Sequence, residues 1–169
     1  MTRVFANRHD AGAQLARALH GFSEACDAVV VALTRDSVPV AYEVATRLAL
    51  PLTMVDDDDL NPTGKTVIVV DDGDAAREMC VDIERLRSHR AAKVVAAVPV
   101  ASPQVFAMLH AAADYVACVL SPQHIYSVQA WYADFEPPSD DDVRHLRVAA
   151  AQNLVVVRRT HFLTSSVDS

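Results

Sequence analysis

Apolar residues along this chain follow two rhythms. Five short runs, at 28–33, 51–55, 66–70, 93–98 and 115–120, are rich in β-branched residues and almost unbroken in hydrophobicity, as strands covered on both faces are. Between them the period becomes helical. Ala11, Leu15, Leu19 and Phe22 share one side of a segment that Asp10 is placed to cap, with Gly21 near its end. Ser37 precedes a stripe of Val40, Val44 and Leu48, and residues 74–88 align Ala75, Met79, Ile83 and Leu86. Ser102 and Pro103 suit an N-cap and first turn for Val105, Phe106 and Leu109. After a Pro-Pro-Ser hinge, Ser139 and Asp140 to Asp142 start a last helix through Val143 and Leu146, the acids matching its positive dipole end. Strands alternating with helices predict an α/β domain: a mostly parallel, Rossmann-like sheet with helices on both faces. That domain is expected over 1–146. The tail at 147–169, containing LVVVRRTHFLTSSVDS, is expected to add an edge strand or to pack on a partner subunit.

Bulk properties narrow the partners. With 51 % of its 169 residues apolar, the chain can bury a core, and its length fits one domain. A formal charge of −7 and a pI near 5.4 give no broad attraction to nucleic acid or anionic membrane, so small molecules or other proteins are the expected partners. Cys26, Cys80 and Cys118 lie far apart and read as buried thiols in a reducing compartment. No secretory leader or bilayer-length apolar run is visible, so a cytoplasmic location is expected. Seven histidines without an HExxH pattern or a close pair give metal catalysis no support and read as surface or capping residues. A G-x-S-x-G elbow, a P-loop and a complete glycine fingerprint are all missing from the sequence.

In open parallel sheets, ligands gather beyond the carboxyl ends of the strands. Two junctions stand out. At 30–45, Arg35, Asp36 and Ser37 fall just past a strand, and at 66–83 a buried strand delivers Asp71 and Asp72, followed by Gly73. Paired carboxylates there suit sugar hydroxyls or a hydrated divalent cation, with helix N–H groups behind them for an anion. The plainer reading is that they cap the helix and stay solvated. Residues 121–135 gather Tyr126, Trp131, Tyr132 and Phe135, which suits a C-terminal hood packed on the sheet or a dimer contact.

Four segments occur in order: VFANRHDAGAQLARAL (4–19), LTRDSVPVAYEVA (33–45), VDDGDAAREM (70–79) and AWYADFEPPSDDDV (130–143). They resemble the signatures FxdRxdAGxxLA, LPRGGVPVAxEVA, VDDGxATGAT and QWYxDFxxxsDeEV of a bacterial phosphoribosyltransferase-like family, and the resemblance runs from Val4 to about Leu146. It implies the type I phosphoribosyltransferase fold and a site for phosphoribosyl pyrophosphate. Asp71 and Asp72 then match the acids that bind ribose hydroxyls. Gly73, Asp74, Ala75, Ala76, Arg77, Glu78 and Met79 match the loop around the 5′-phosphate, and Arg35, Asp36 and Ser37 match the pyrophosphate loop. Tyr126 and Trp131 would belong to a base-stacking hood, and Mg2+ would enter only with phosphoribosyl pyrophosphate.

The chain departs from that family where anions should bind. Family threonines become Ala76 and Met79, a glycine becomes Arg77, and Glu78 adds negative charge. Asp36 sits beside the expected pyrophosphate, where a like charge costs on the order of 1 kcal/mol. The excursion that holds the family's lid shrinks to VDDDDLNPTGK (55–65), which reads as a solvated turn rather than a metal site. No residue is assigned a catalytic role. These features imply a phosphoribosyltransferase-like protein with weak or absent transfer, serving as a ligand-binding or regulatory module and homodimeric, its ligand a sugar phosphate or nucleotide. Two alternatives stand beside it. One is a divergent enzyme moving ribose 5-phosphate to a nucleobase-like acceptor, with Arg77 and Arg35 replacing lost donors; the other is a structural partner in an assembly. A phosphoacceptor receiver, suggested by VIVVDDGD, requires a further Asp and a late Lys-Pro that AAVPV (96–100) and CVLSP (118–122) do not provide.

Overall fold

A computed structural model describes residues 4–165. Five strands form one all-parallel sheet in the order β2-β1-β3-β4-β5: β1 (Ala28–Ala32), β2 (Leu52–Met54), β3 (Thr66–Val70), β4 (Lys93–Val100) and β5 (Tyr115–Leu120). Helices α1 (Arg8–Ala18), α2 (Val38–Leu48), α3 (Met79–Ser88), α4 (Pro103–Ala112) and α5 (Asp140–Ser165) surround it. The architecture is the expected α/β one. Alternate strand residues feed two cores because side chains alternate across a pleat. Val30, Ala32, Ile68 and Val70 pack under α1, α2 and the start of α5, while Val29, Val31, Val67 and Val69 pack under α3 and α4.

Gly12 fixes how closely α1 and α2 cross. A Cβ there would lie 2.6 Å from the Val40 carbonyl oxygen and 2.7 Å from Glu43 Cβ. A third, small core joins Phe5, Ala11, Val100 and Tyr132. Phe5 bridges Tyr132 in a short parallel pairing, so the start of the chain and the segment after β5 form one hood over the sheet.

Several local expectations change. The cap of α1 is Asn7, whose side chain accepts from the Asp10 N–H, while Asp10 accepts from Ala6 one turn back. Residues 74–78 are turns, and α3 begins only at Met79. Cys26 is exposed in the turn before β1 rather than buried, whereas Cys80 and Cys118 are half-buried free thiols whose pKa values burial raises. Residues 147–165 do not form an edge strand but continue α5. The alanines at 149–151 favour helix, and no Gly or Pro follows to stop propagation. The end of the tail, 166–169, lies outside the described residues. Among the described residues, no helix is long and apolar enough to cross a membrane.

Candidate functional site

The parallel register carries β3 to the middle of the sheet, between β1 and β4, and Asp71 follows its last residue with its N–H bonded to the Ala97 carbonyl. This is where the sequence placed a ligand. Both carboxylates, however, are inside the protein: Asp71 is 0 % and Asp72 2 % exposed. Asp71 Oδ2 accepts from the N–H groups of Gly73 and Ala75, each at 2.9 Å. Asp72 Oδ1 accepts from the Asp74 N–H at 3.0 Å, and its Oδ2 accepts from Arg8 Nε at 3.1 Å. Four protein donors thus already serve the two side chains.

Arg8 and Tyr132 close this arrangement. Arg8 Nη1 donates to the carbonyls of Phe135 and Glu136 at 3.0 and 2.9 Å, and its guanidinium lies 3.8 Å from the Phe135 ring centre. The Tyr132 hydroxyl donates to the Asp72 carbonyl at 2.7 Å. Arg8 was assigned no role from the sequence and Tyr132 only a place in the hood or a dimer contact, although Arg8 stands inside the first of the quoted segments and Tyr132 inside the last. The buried guanidinium pairs with Asp72, and Asp71 Oδ1 is buried without a hydrogen-bond partner. Burial first, and the neighbouring Asp72 second, push the Asp71 pKa up to about 7. Asp72 is also raised, burial outweighing the Asp74 N–H and Arg8. The Tyr132 phenol is raised by burial and then by Asp72.

The expected phosphate loop is shaped by the same acids. Gly73 has φ 112°, and a Cβ on it would stand 2.9 Å from the Val100 carbonyl oxygen, so this position requires glycine. Asp74 is exposed, Ala75 half-buried and Ala76 buried. Arg77 lies along α4, its Nη1 4.0 Å from Met108 Sδ, and Glu78 is exposed. Met79 is fully buried in the core under α3, filling with thioether the place of a family threonine.

The other loop is also self-contained. Residues 35–37 form one 3-10 turn, in which the Thr34 N–H donates to Ser37 Oγ at 2.9 Å and the Ser37 N–H to Thr34 Oγ1 at 3.2 Å. Arg35 turns to the hinge before α5, with Nε 2.7 Å from Asp140 and Nη2 2.9 Å from the Pro138 carbonyl. Its own neighbour Asp36 is 3.8 Å away. Trp131 is half-buried in the hood, and Tyr126 is 92 % exposed.

Beside Arg8 a cleft of about 470 Å³ opens between the hood and the first turns of α1 and α2, lined in part by His9, Pro39, Glu136, Ser139 and Asp142. His9 Nδ1 is 3.0 Å from Glu43 Oε1. Among the described residues, no three His, Cys, Asp or Glu groups are arranged to hold a metal ion. Asp71 and Asp72 as they stand do not fit Mg2+ with a bound sugar diphosphate, because both carboxylates are buried beneath the loop and hood.

No family model matches the chain. Two Mycobacterium tuberculosis proteins, from strains H37Rv and CDC 1551 and both named "Putative phosphoribosyl transferase", are 28 % identical over 206 residues, covering 83 % of this chain and 46 % of their own length. The chain therefore spans under half the length of these curated relatives. Since the aligned stretch is longer than the whole chain, the relatives carry residues inside it that have no counterpart here. The crystal structure of TT1426 from Thermus thermophilus superposes with a TM-score of 0.76 at 26 % identity, covering 86 % of this chain and 98 % of that one. A hypoxanthine-guanine phosphoribosyltransferase from Bacillus anthracis shares the fold, with a TM-score of 0.51, 18 % identity, and coverage of 70 % and 81 %. The parallel sheet and these likenesses give the chain the fold of the type I phosphoribosyltransferases, with relatives that carry the name of that family.

Proposed function

We propose that this protein keeps the phosphoribosyltransferase scaffold without its transfer chemistry and works as a ligand-binding or regulatory module. The observation that carries this reading is the occupation of the acid pair from within. Carboxylates that would accept ribose hydroxyls instead accept from Gly73, Ala75, Asp74 and Arg8. Breaking those bonds to admit a sugar would leave Arg8 and loop N–H groups unpaired, at about 1–3 kcal/mol for each group left unsatisfied.

The loops point the same way. Preorganised N–H donors aimed at developing charge supply much of an enzyme's rate enhancement, and the Thr34 and Ser37 donors are spent inside their own turn. A divergent active enzyme would need Arg35 and Arg77 to grip phosphates, yet Arg35 is held by Asp140 and Pro138. A sugar phosphate or nucleotide remains the ligand class that the family likeness recommends.

Calorimetric titration of the purified chain with phosphoribosyl pyrophosphate and Mg2+, alongside an assay for pyrophosphate release with a panel of nucleobases, tests the reading. No release is expected. Tight binding with turnover of any base overturns it.

A further inference from the structure

The last helix carries more apolar surface than the body covers. α5 has 26 residues and is about 39 Å long, yet only Val143 and Ala150 on it are buried. Val148, Val155 and Phe162 recur every seven residues and are 51, 52 and 73 % exposed, with Leu163 next to the last at 66 %. Isolated helices gain little from propensity alone, so stability comes from packing a face, and contiguous exposed apolar surface marks a contact site.

Two depressions lie along the helix. One, of about 520 Å³, is walled by Leu52 of the edge strand β2 with Val143, Val148 and Ala151. The other, of about 480 Å³ and almost wholly apolar, runs along Val155, Phe162 and Leu163 between Arg158 and Arg159. Charge follows the same division. From Val143 to Ser165 the helix has four arginines and no acid, although the chain carries −7. Arg147, on the wall of the first depression, is paired with Asp57, which brings the loop with exposed Asp56, Asp58 and Asp59 alongside.

We propose that this face joins two copies of the chain, their α5 helices antiparallel across a two-fold axis. A two-fold contact must be self-complementary, and this surface is. Phe162 and Leu163 near one end of the stripe meet the Leu52–Val148–Ala151 depression near the other end of the partner's stripe. The same rotation brings Arg158 and Arg159, about one turn before those side chains, to the partner's acidic loop. A basic, apolar helix also suits an anionic bilayer, but here exposed aspartates flank the stripe and would repel anionic headgroups. His161, 3.2 Å from Glu24, ties the helix end to the body.

Sedimentation velocity of the full chain over a concentration series tests the contact, with circular dichroism as the check on folding. A dimer is expected. The pair Phe162→Asp and Leu163→Asp should give a monomer with the α/β signal intact. Arg158→Glu with Arg159→Glu should weaken dimerisation roughly tenfold or more, and mixing that variant with Asp58→Lys, Asp59→Lys protein should restore it. The charge pair decides the matter even if the aspartate variants misfold. A wild-type monomer throughout, a dimer indifferent to these changes, or a monomer that binds phosphatidylglycerol vesicles instead would each overturn the proposal.

Discussion

At Asp71 two demands conflict. Its Oδ2 must be an acceptor for Gly73 and Ala75, while its Oδ1 is buried with nothing to receive. Protonation removes the buried charge beside Asp72. The folded-state pKa, near 7, lies above the ordinary 3.8, so folding takes up a proton. The associated stability is fully present below the ordinary value and is lost as pH rises through about 7. The urea midpoint should therefore fall between about pH 5 and about pH 8. Asp71→Asn keeps the acceptor and removes the ionisation, so its midpoint should vary less; an unchanged slope would assign the effect elsewhere. Asp72 is shifted in the same direction and leaves part of the slope in place. The sequence displayed the acid pair, but not its occupation from within. Three of the four donors, Gly73, Asp74 and Ala75, are local, but Arg8 stands 64 positions away and Tyr132, which holds the Asp72 carbonyl, 60, a juxtaposition no local pattern encodes.

Elements were legible wherever one signal dominated. The apolar runs located all five strands; continuous hydrophobicity fits the central β1, β3 and β4, buried on both faces, whereas the edge strands β2 and β5 are only partly buried. Residues 74–88 misled because Ala75 and Met79 keep helical spacing, yet the N–H groups of Gly73, Asp74 and Ala75 are drawn back to the strand-end aspartates, which holds this stretch as turns. LVVV at 154–157 looked like a strand, but a helix already running through three alanines carries β-branched residues along. At Gly12, element-scale packing overrules propensity. Alanine would favour the helix by roughly 1 kcal/mol, but its methyl would strike the α2 backbone at 2.6 Å. Gly12→Ala is expected to lose about 1–3 kcal/mol on urea unfolding; a gain would show that α1 and α2 can separate without cost.

Taken whole, the molecule repeats one theme at the two strand-end junctions: groups that could face outward are turned on the protein itself. Motifs announced the scaffold, since they are a property of neighbouring residues. The closure of the site is a property of the fold. The seam that closes it also fixes an order of assembly. Phe5 N–H reaches the Trp131 carbonyl at 3.1 Å, Ala133 N–H reaches back to Phe5 at 2.7 Å, and Arg8 binds a carbonyl 127 positions later. Joining segments so remote in sequence is slow, because loop closure comes before any reward. Trp131 is the sole tryptophan and lies on this seam, so its fluorescence should reach the native value after far-ultraviolet ellipticity during refolding. On a ribosome, where earlier residues emerge first, Phe5 and Arg8 must wait undocked until residues 131–136 have been made.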